Sequence, residues 1–222
     1  MNIEKKRYII FLYSLFLMNF VIFVIFTGEN EMEILKQRIL KDGKVIGDDI
    51  LKVDSFLNHQ IDVVLLTKLA EEFHTRFSGE KVDKILTIEA SGIAIGCLVA
   101  QQFGVPLVFA KKSRSSNLPA DVYATAVHSY THGNVNQVVV SREYLHSGER
   151  VLLIDDFLAH GEALAGLVSL VQQAGGTVVG AGIVIEKAFQ DGGDRIRRQG
   201  IRVESLARIA AVSVEEGVTF TD

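Results

Sequence analysis

Asp155 and Asp156 stand side by side at the end of the apolar run Val151-Leu152-Leu153-Ile154. Four apolar residues in a row make a short strand buried on both faces, so the two carboxylates sit at a strand's carboxyl end. A small-residue loop through Gly161 follows, and residues 163–173 then carry apolar residues at helical spacing. The first N–H groups of that helix lack an intrahelical partner and carry the positive end of its dipole. They face the crevice beside the acids, which is where parallel sheets bind ligands. This suits a phosphate joined to a sugar: sugar hydroxyls donate to the carboxylates while the phosphate accepts from the N–H groups. A pair of loop carboxylates capping the next helix is the plainer alternative.

A second turn of this kind is Glu89-Ala90-Ser91-Gly92, between an apolar strand at 84–88 and a helical pattern at 92–102. Here too free N–H groups converge, although Ser91 as a helix cap with Gly92 easing the turn explains the same residues without a ligand. Lys111 and Lys112 end the strand at 106–110 and open the polar run 112–117, which can bury little and is a candidate lid. They either reach an anionic ligand or are solvated loop lysines. His128 and His132 have the spacing of a helical metal pair, but they fall on a strand-to-turn segment where that spacing does not align them. There is no Gly-x₄-Gly-Lys-[Ser/Thr], no Gly-x-Ser-x-Gly and no Gly-x-Gly-x-x-Gly at a strand end, which removes the commonest nucleotide-binding and hydrolase rivals.

Stretch Ile154-Asp155-Asp156-Phe157-Leu158-Ala159 resembles the phosphoribosyl-diphosphate fingerprint of the type I phosphoribosyltransferases. Two further regions narrow the resemblance to the branch of that family that uses xanthine. One is Leu51-Lys52-Val53-Asp54-Ser55-Phe56-Leu57-Asn58-His59-Gln60. The other is Gly182-Ile183-Val184-Ile185-Glu186-Lys187, taken with Val203-Glu204-Ser205-Leu206-Ala207-Arg208. The likeness spans residues 32 to about 220.

The resemblance implies transfer of ribose 5-phosphate from its 1-diphosphate to a purine nitrogen, through an oxocarbenium-like transition state, with loss of pyrophosphate. Asp155 and Asp156 would hold the ribose hydroxyls, or waters on a Mg²⁺ ion that arrives with the substrate; no residue is assigned as a direct metal ligand. Ala159, His160, Gly161, Glu162 and Ala163 would cradle the 5-phosphate, and Glu89, Ala90, Ser91 and Gly92, with Lys111 and Lys112, would meet the pyrophosphate. Leu51, Asn58, Lys187 and Phe157 would meet the base. The Lys187 ammonium and the Asn58 amide favour an oxo group over the amino group of adenine, although Lys187 also reads as a solvated strand-end lysine. The xanthine branch commonly has Ala-Asn-Gly-Gln-Ala at the phosphate loop, whereas His160 and Glu162 stand at its polar positions here. A carboxylate facing a phosphate is repulsive, so Glu162 is expected to turn its side chain away and offer only its N–H.

The elements that must position these residues alternate as parallel α/β. Helices are predicted at 32–40, 61–77, 92–102 and 163–173, with a short one after Asp191-Gly192-Gly193. Strands are predicted at 84–88, 106–110, 122–128, 137–141, 151–154, 177–185 and 203–209, with 45–53 loosely strand-like. The expected fold is a type I phosphoribosyltransferase fold: a central, mainly parallel sheet flanked by helices. The N- and C-terminal segments lie outside that sheet as a small hood over the base.

The chain of 222 residues allows one such domain, over 32–222. A net charge of −4 without a basic stripe argues against a nucleic-acid surface. Cys97, the sole cysteine, reads as a small buried hydrophobe. Residues 1–31 break the pattern, because Lys5, Lys6 and Arg7 precede the uncharged, apolar run 8–26, long enough to span a bilayer. Phosphoribosyl diphosphate is an intracellular metabolite, so the expectation is a cytoplasmic protein starting at Met32, with a membrane anchor as the alternative if residues 1–31 are present. A homodimer is a family expectation. Rival functions are a regulator that senses phosphoribosyl diphosphate without turnover and a guanine-preferring oxopurine transferase. The first normally needs a DNA-binding domain, for which residues 1–50 offer neither recognition helix nor basic charge.

Overall fold

The computed structural model describes residues 31–47, 49–113, 121–129 and 134–221. The N-terminal apolar run, most of the candidate lid and His132 lie outside them. No helix among the described residues is long and apolar enough to cross a membrane.

The chain begins with α1 (Glu31–Asp42), a hairpin of β1 (Lys44–Ile46) and β2 (Ile50–Lys52), a wide helical turn over Asp54–Asn58, and α2 (Val63–Arg76). Asp62 sets the start of α2 by accepting from the Leu65 N–H at 3.1 Å. There follow β3 (Lys84–Ile88), α3 (Gly92–Phe103), β4 (Leu107–Ser113), β5 (Val122–Ser129) and β6 (Asn134–Ser141). The last third comprises β7 (Arg150–Leu158), α4 (Glu162–Gln173), β8 (Thr177–Lys187), α5 (Gly192–Arg198), β9 (Val203–Ser213) and β10 (Gly217–Phe220).

Eight strands form one sheet in the order β10-β9-β8-β7-β3-β4-β6-β5, and β1-β2 form a separate two-stranded sheet. Strands β9, β8, β7, β3 and β4 are parallel to one another, while β10, β6 and β5 add antiparallel edges. The apolar run that ends at the acids is buried on both faces, as its composition requires. Leu152 and Ile154 join the core formed with Phe73 of α2 and Val99 of α3, while Val151 and Leu153 join the opposite core with Leu164 and Leu167 of α4. Parallel crossovers through α3, α4 and α5 bring the carboxyl ends of β3, β7 and β8 to one edge.

Three expectations are corrected. The C-terminal segment does not lie outside the central sheet: α5 returns the chain so that Val203 pairs beside Ala181, and β9 and β10 extend that sheet. The hood is therefore the N-terminal helix and hairpin packed against this added edge, with α1 against β9 and β10 and β1 against β9. Strand β7 does not stop at Ile154 but runs through both acids to Leu158. Cys97 is exposed, because α3 buries the stripe Gly92, Ile95, Gly96, Val99 and Ala100 and turns position 97 outward.

Candidate active site

Asp155 and Asp156 are 4% and 7% exposed in the carboxyl-terminal half of β7. The Asp156 N–H donates to Asp155 Oδ1 at 3.1 Å. Burial, and next the neighbouring Asp156 carboxylate, push the Asp155 carboxyl well above the usual carboxylate range; the Lys112 charge opposes them. Two acids so placed require a cationic or hydroxyl-bearing partner to ionise together.

Beyond β7 the chain turns through Ala159, His160 and Gly161 into α4. Gly161 has φ +79°, a conformation that suits glycine, and a Cβ there would lie 3.1 Å from the Gly192 carbonyl oxygen. The loop borders a cleft of about 230 Å³, many times the roughly 30 Å³ share of one water. Ala159, His160, Gly161, Glu162 and Ala163 all line it. Phe157 and Lys112 line it too. The Glu162 carboxylate is engaged by Arg195 of α5, with Nη1 to Oε1 2.7 Å, so the acid has its own partner. His160 Nδ1 lies 3.7 Å from Asp191 Oδ1.

The turn Glu89-Ala90-Ser91-Gly92 joins β3 to α3, and its Glu89–Ala90 peptide is cis. Ser91 makes no side-chain capping bond, so the helix-cap explanation of this residue does not hold. The Glu89 carboxylate instead accepts from the Lys112 N–H at 2.7 Å and ties this turn to β4. Gly92 is required by packing: a Cβ would lie 2.0 Å from Thr87 Oγ1 and 3.1 Å from Asp155 Oδ1. Thr87 is fully buried and its hydroxyl has no hydrogen-bond partner among the described residues. The two lysines part company. β4 continues through both, so their side chains alternate: Lys112 lines the phosphate-side cleft, while Lys111 lines a groove with Phe109 and Val139 and lies over the Phe109 ring, 5.8 Å from its centroid. Lys111 is thereby turned away from that cleft.

Of the residues expected to meet the base, Lys187 ends β8 and donates to the Asp49 carbonyl oxygen at 2.7 Å, so strand and hairpin meet there. Burial lowers the Lys187 ammonium from its usual range, and the Asp49 carboxylate works against that. Leu51 faces Val45 in the hairpin, and its side chain is buried in the core, which leaves its backbone as its means of meeting a ligand. Asn58 closes the helical turn and is exposed. None of Leu51, Asn58, Lys187, Asp155, Asp156 and residues 89–92 lines the cleft that Phe157 shares with residues 159–163.

The family model "Phosphoribosyl transferase domain" matches residues 52–204. The chain belongs to the phosphoribosyltransferase family. It is 54% identical over 192 residues to the xanthine phosphoribosyltransferase of Ruminiclostridium cellulolyticum, covering 86% of this chain and all of that one. With the xanthine phosphoribosyltransferase of Bacillus cytotoxicus it shares 53% over 190 residues, covering 85% and 95%. Among solved structures, the adenine phosphoribosyltransferase of Thermoanaerobacter pseudethanolicus superposes with a TM-score of 0.63 at 24% identity, over 78% of this chain and 99% of that one. The Giardia lamblia enzyme complexed with 9-deazaadenine gives 0.65 at 22%, over 78% and 97%. Those two likenesses concern the fold.

Several residues of this site were not singled out in the sequence. Glu186 is 2% exposed and accepts two bonds of 2.7 Å from Arg197 and one of 2.5 Å from Ser205, with Arg208 Nε at 3.3 Å. Burial raises its carboxyl, but these donors and charges outweigh it and hold the carboxyl below its usual range. Thr87, Asp191, Gly192 and Arg195 were also missed. The signal available was the Gly192-Gly193 pair after β8, since two adjacent glycines at a helix start mark a close backbone approach. Among the described residues no cluster of three or more His, Cys, Asp or Glu could hold a metal ion. Two buried, adjacent carboxylates fit a divalent cation that takes its ligands from substrate oxygens and from waters that donate to the acids.

Proposed function

We propose that this protein transfers the 5-phosphoribosyl group of 5-phospho-α-D-ribose 1-diphosphate to xanthine, giving xanthosine monophosphate and pyrophosphate in purine salvage. The observation that carries the reading is the buried Asp155-Asp156 pair on β7, followed by an N–H-lined loop into α4, in a chain half identical to xanthine phosphoribosyltransferases.

Asp155 and Asp156 accept from the ribose hydroxyls or from water on the metal, and these donors oppose the burial that raises the Asp155 carboxyl. The N–H groups of residues 159–163 hold the 5-phosphate at the positive end of α4. Those of 89–92, with the Lys112 ammonium, receive the pyrophosphate as its negative charge grows. Mg²⁺ bound with the substrate would neutralise part of that charge, held through Asp155 and Asp156 without a protein cage. Lys187 and Asn58 meet the oxo groups of the base, Phe157 its ring, and Leu51 offers its backbone. The protein acts in the cytoplasm, where its phosphorylated substrate is made, and as a homodimer.

The deciding experiment is a pyrophosphate-release assay on the purified protein with xanthine, guanine, hypoxanthine and adenine. The expected order places xanthine first and adenine last. Turnover with none of them would point to a sensor of phosphoribosyl diphosphate, and turnover led by guanine to a different oxopurine enzyme.

A further inference from the structure

Glu162 opens α4 at the point where the phosphate loop gathers its N–H groups, so a fixed negative charge sits beside a site built for a dianion. Like charges in such a place oppose each other over several ångströms, unless a cation is held between or beside them. Arg195 supplies it: its Nη1 lies 2.7 Å from Glu162 Oε1. The pair is partly exposed, 35% for Arg195 and 23% for Glu162, and ion pairs of that kind contribute little to folding stability. Stability therefore does not account for it.

How Arg195 comes to stand there is set by α5. Gly192 is pressed against the loop so closely that a Cβ would lie 2.1 Å from the Ala159 carbonyl oxygen and 2.5 Å from the Gly161 nitrogen. The helix is fastened from its other side by the paired bonds from Arg197 to the buried Glu186. Arg195 thus rises from a helix that is the backing of the loop itself. Its Nε and Nη2 are buried without a hydrogen-bond partner among the described residues, so Glu162 is its one hydrogen-bonded counter-charge there.

We propose that Arg195 is a positioning residue for substrate binding: by holding the Glu162 carboxylate to α5 it keeps that negative charge out of the 5-phosphate site. This rests on the phosphoribosyl-transfer reading above. The rule is electrostatic and makes a prediction that packing alone does not: removing the carboxylate removes the need for the arginine.

The test compares the wild type with R195Q, E162Q and the double variant R195Q/E162Q by steady-state kinetics, with thermal unfolding as a folding control. R195Q is expected to raise KM for phosphoribosyl diphosphate about three- to tenfold, with kcat and KM for xanthine changed less than about twofold. E162Q is expected to lower that KM, and the double variant to lose most of the increase seen in R195Q. An increase that persists in the double variant, or no increase in R195Q, overturns the proposal. If R195Q does not fold, E162Q decides alone, because a raised KM there shows that the carboxylate is needed at the phosphate. A wild type without turnover would defeat the transfer reading instead, and the same four proteins titrated calorimetrically with phosphoribosyl diphosphate would then test the charge rule by affinity.

Discussion

The Asp156 N–H donates to the Asp155 carboxylate, yet burial pushes the carboxyl it reaches well above the usual carboxylate range. A backbone donor favours the ionised form, but loss of solvent and the adjacent Asp156 charge outweigh it. Because the folded-state value is raised above the unfolded one, the stability linked to Asp155 is full below about pH 4 and is lost as pH rises through the folded value. Asp155→Asn mimics the neutral form. It is expected to raise the thermal midpoint at pH 8, to leave it unchanged near pH 4, and to abolish turnover; a lower midpoint at pH 8 would refute this account.

Binding of the sugar diphosphate should draw a proton out of the protein. Titration calorimetry at one pH in buffers of different ionisation enthalpy measures that release directly. Asp155→Asn should bind more weakly and release less; equal proton release from wild type and variant would place the titrating group elsewhere.

Gly92→Ala places a methyl group against Thr87 Oγ1 and the Asp155 carboxylate. The expected loss is about 1–3 kcal/mol of stability by denaturant unfolding, with loss of phosphoribosyl diphosphate binding. Thr87→Ala in the same chain takes away the nearest obstacle and should recover part of the stability. Failure of that second change to recover any would mean that the backbone of the turn, not the hydroxyl, excludes a side chain.

Arg197→Met leaves buried Glu186 with Ser205 and Arg208 alone. A loss of about 2–3 kcal/mol is expected at neutral pH, discounted from a fully buried pair because Arg197 is partly exposed. The Glu186 carboxyl is lowered in the folded state, so the stability it provides is present above the unfolded value, about 4.3, and lost as pH falls through the folded one. The gap between wild type and variant should narrow below pH 4, and a gap constant from pH 3 to 8 would show that charge is not what Arg197 contributes.

Lys187→Ala removes the ammonium proposed to meet the base. Turnover with xanthine should fall at least about tenfold while the thermal midpoint moves by only a few degrees. Losses of stability and activity in proportion would make Lys187 a structural link to Asp49 and no more.

Local composition revealed the strands and helices that carry the site, since each is a run of one period: the doubly buried β7, the helical spacing of α4, the loop between them. What it concealed depends on contacts between distant segments. Cys97 was misplaced because an apolar helix with small residues gives little asymmetry, and the buried stripe is chosen by the strands it meets. Lys111 and Lys112 looked equivalent until β4 proved to continue through both, which sends them to opposite sides. The added strands β9 and β10 depend on where α5 returns the chain, and Arg195 meets Glu162 across 33 positions.

The Asp49 carbonyl at Lys187 has a consequence for discrimination among bases. Lys187 is bonded to an acceptor of the same kind that an oxopurine brings, so under the proposed role of this lysine xanthine would exchange one carbonyl for another at little enthalpic loss. Adenine would present an amino donor at that place and have nothing to trade, so it would break the lysine's standing bond without replacing it. On that proposal selection would begin before the ring is seated, with the hairpin as the incumbent that an oxo group can replace.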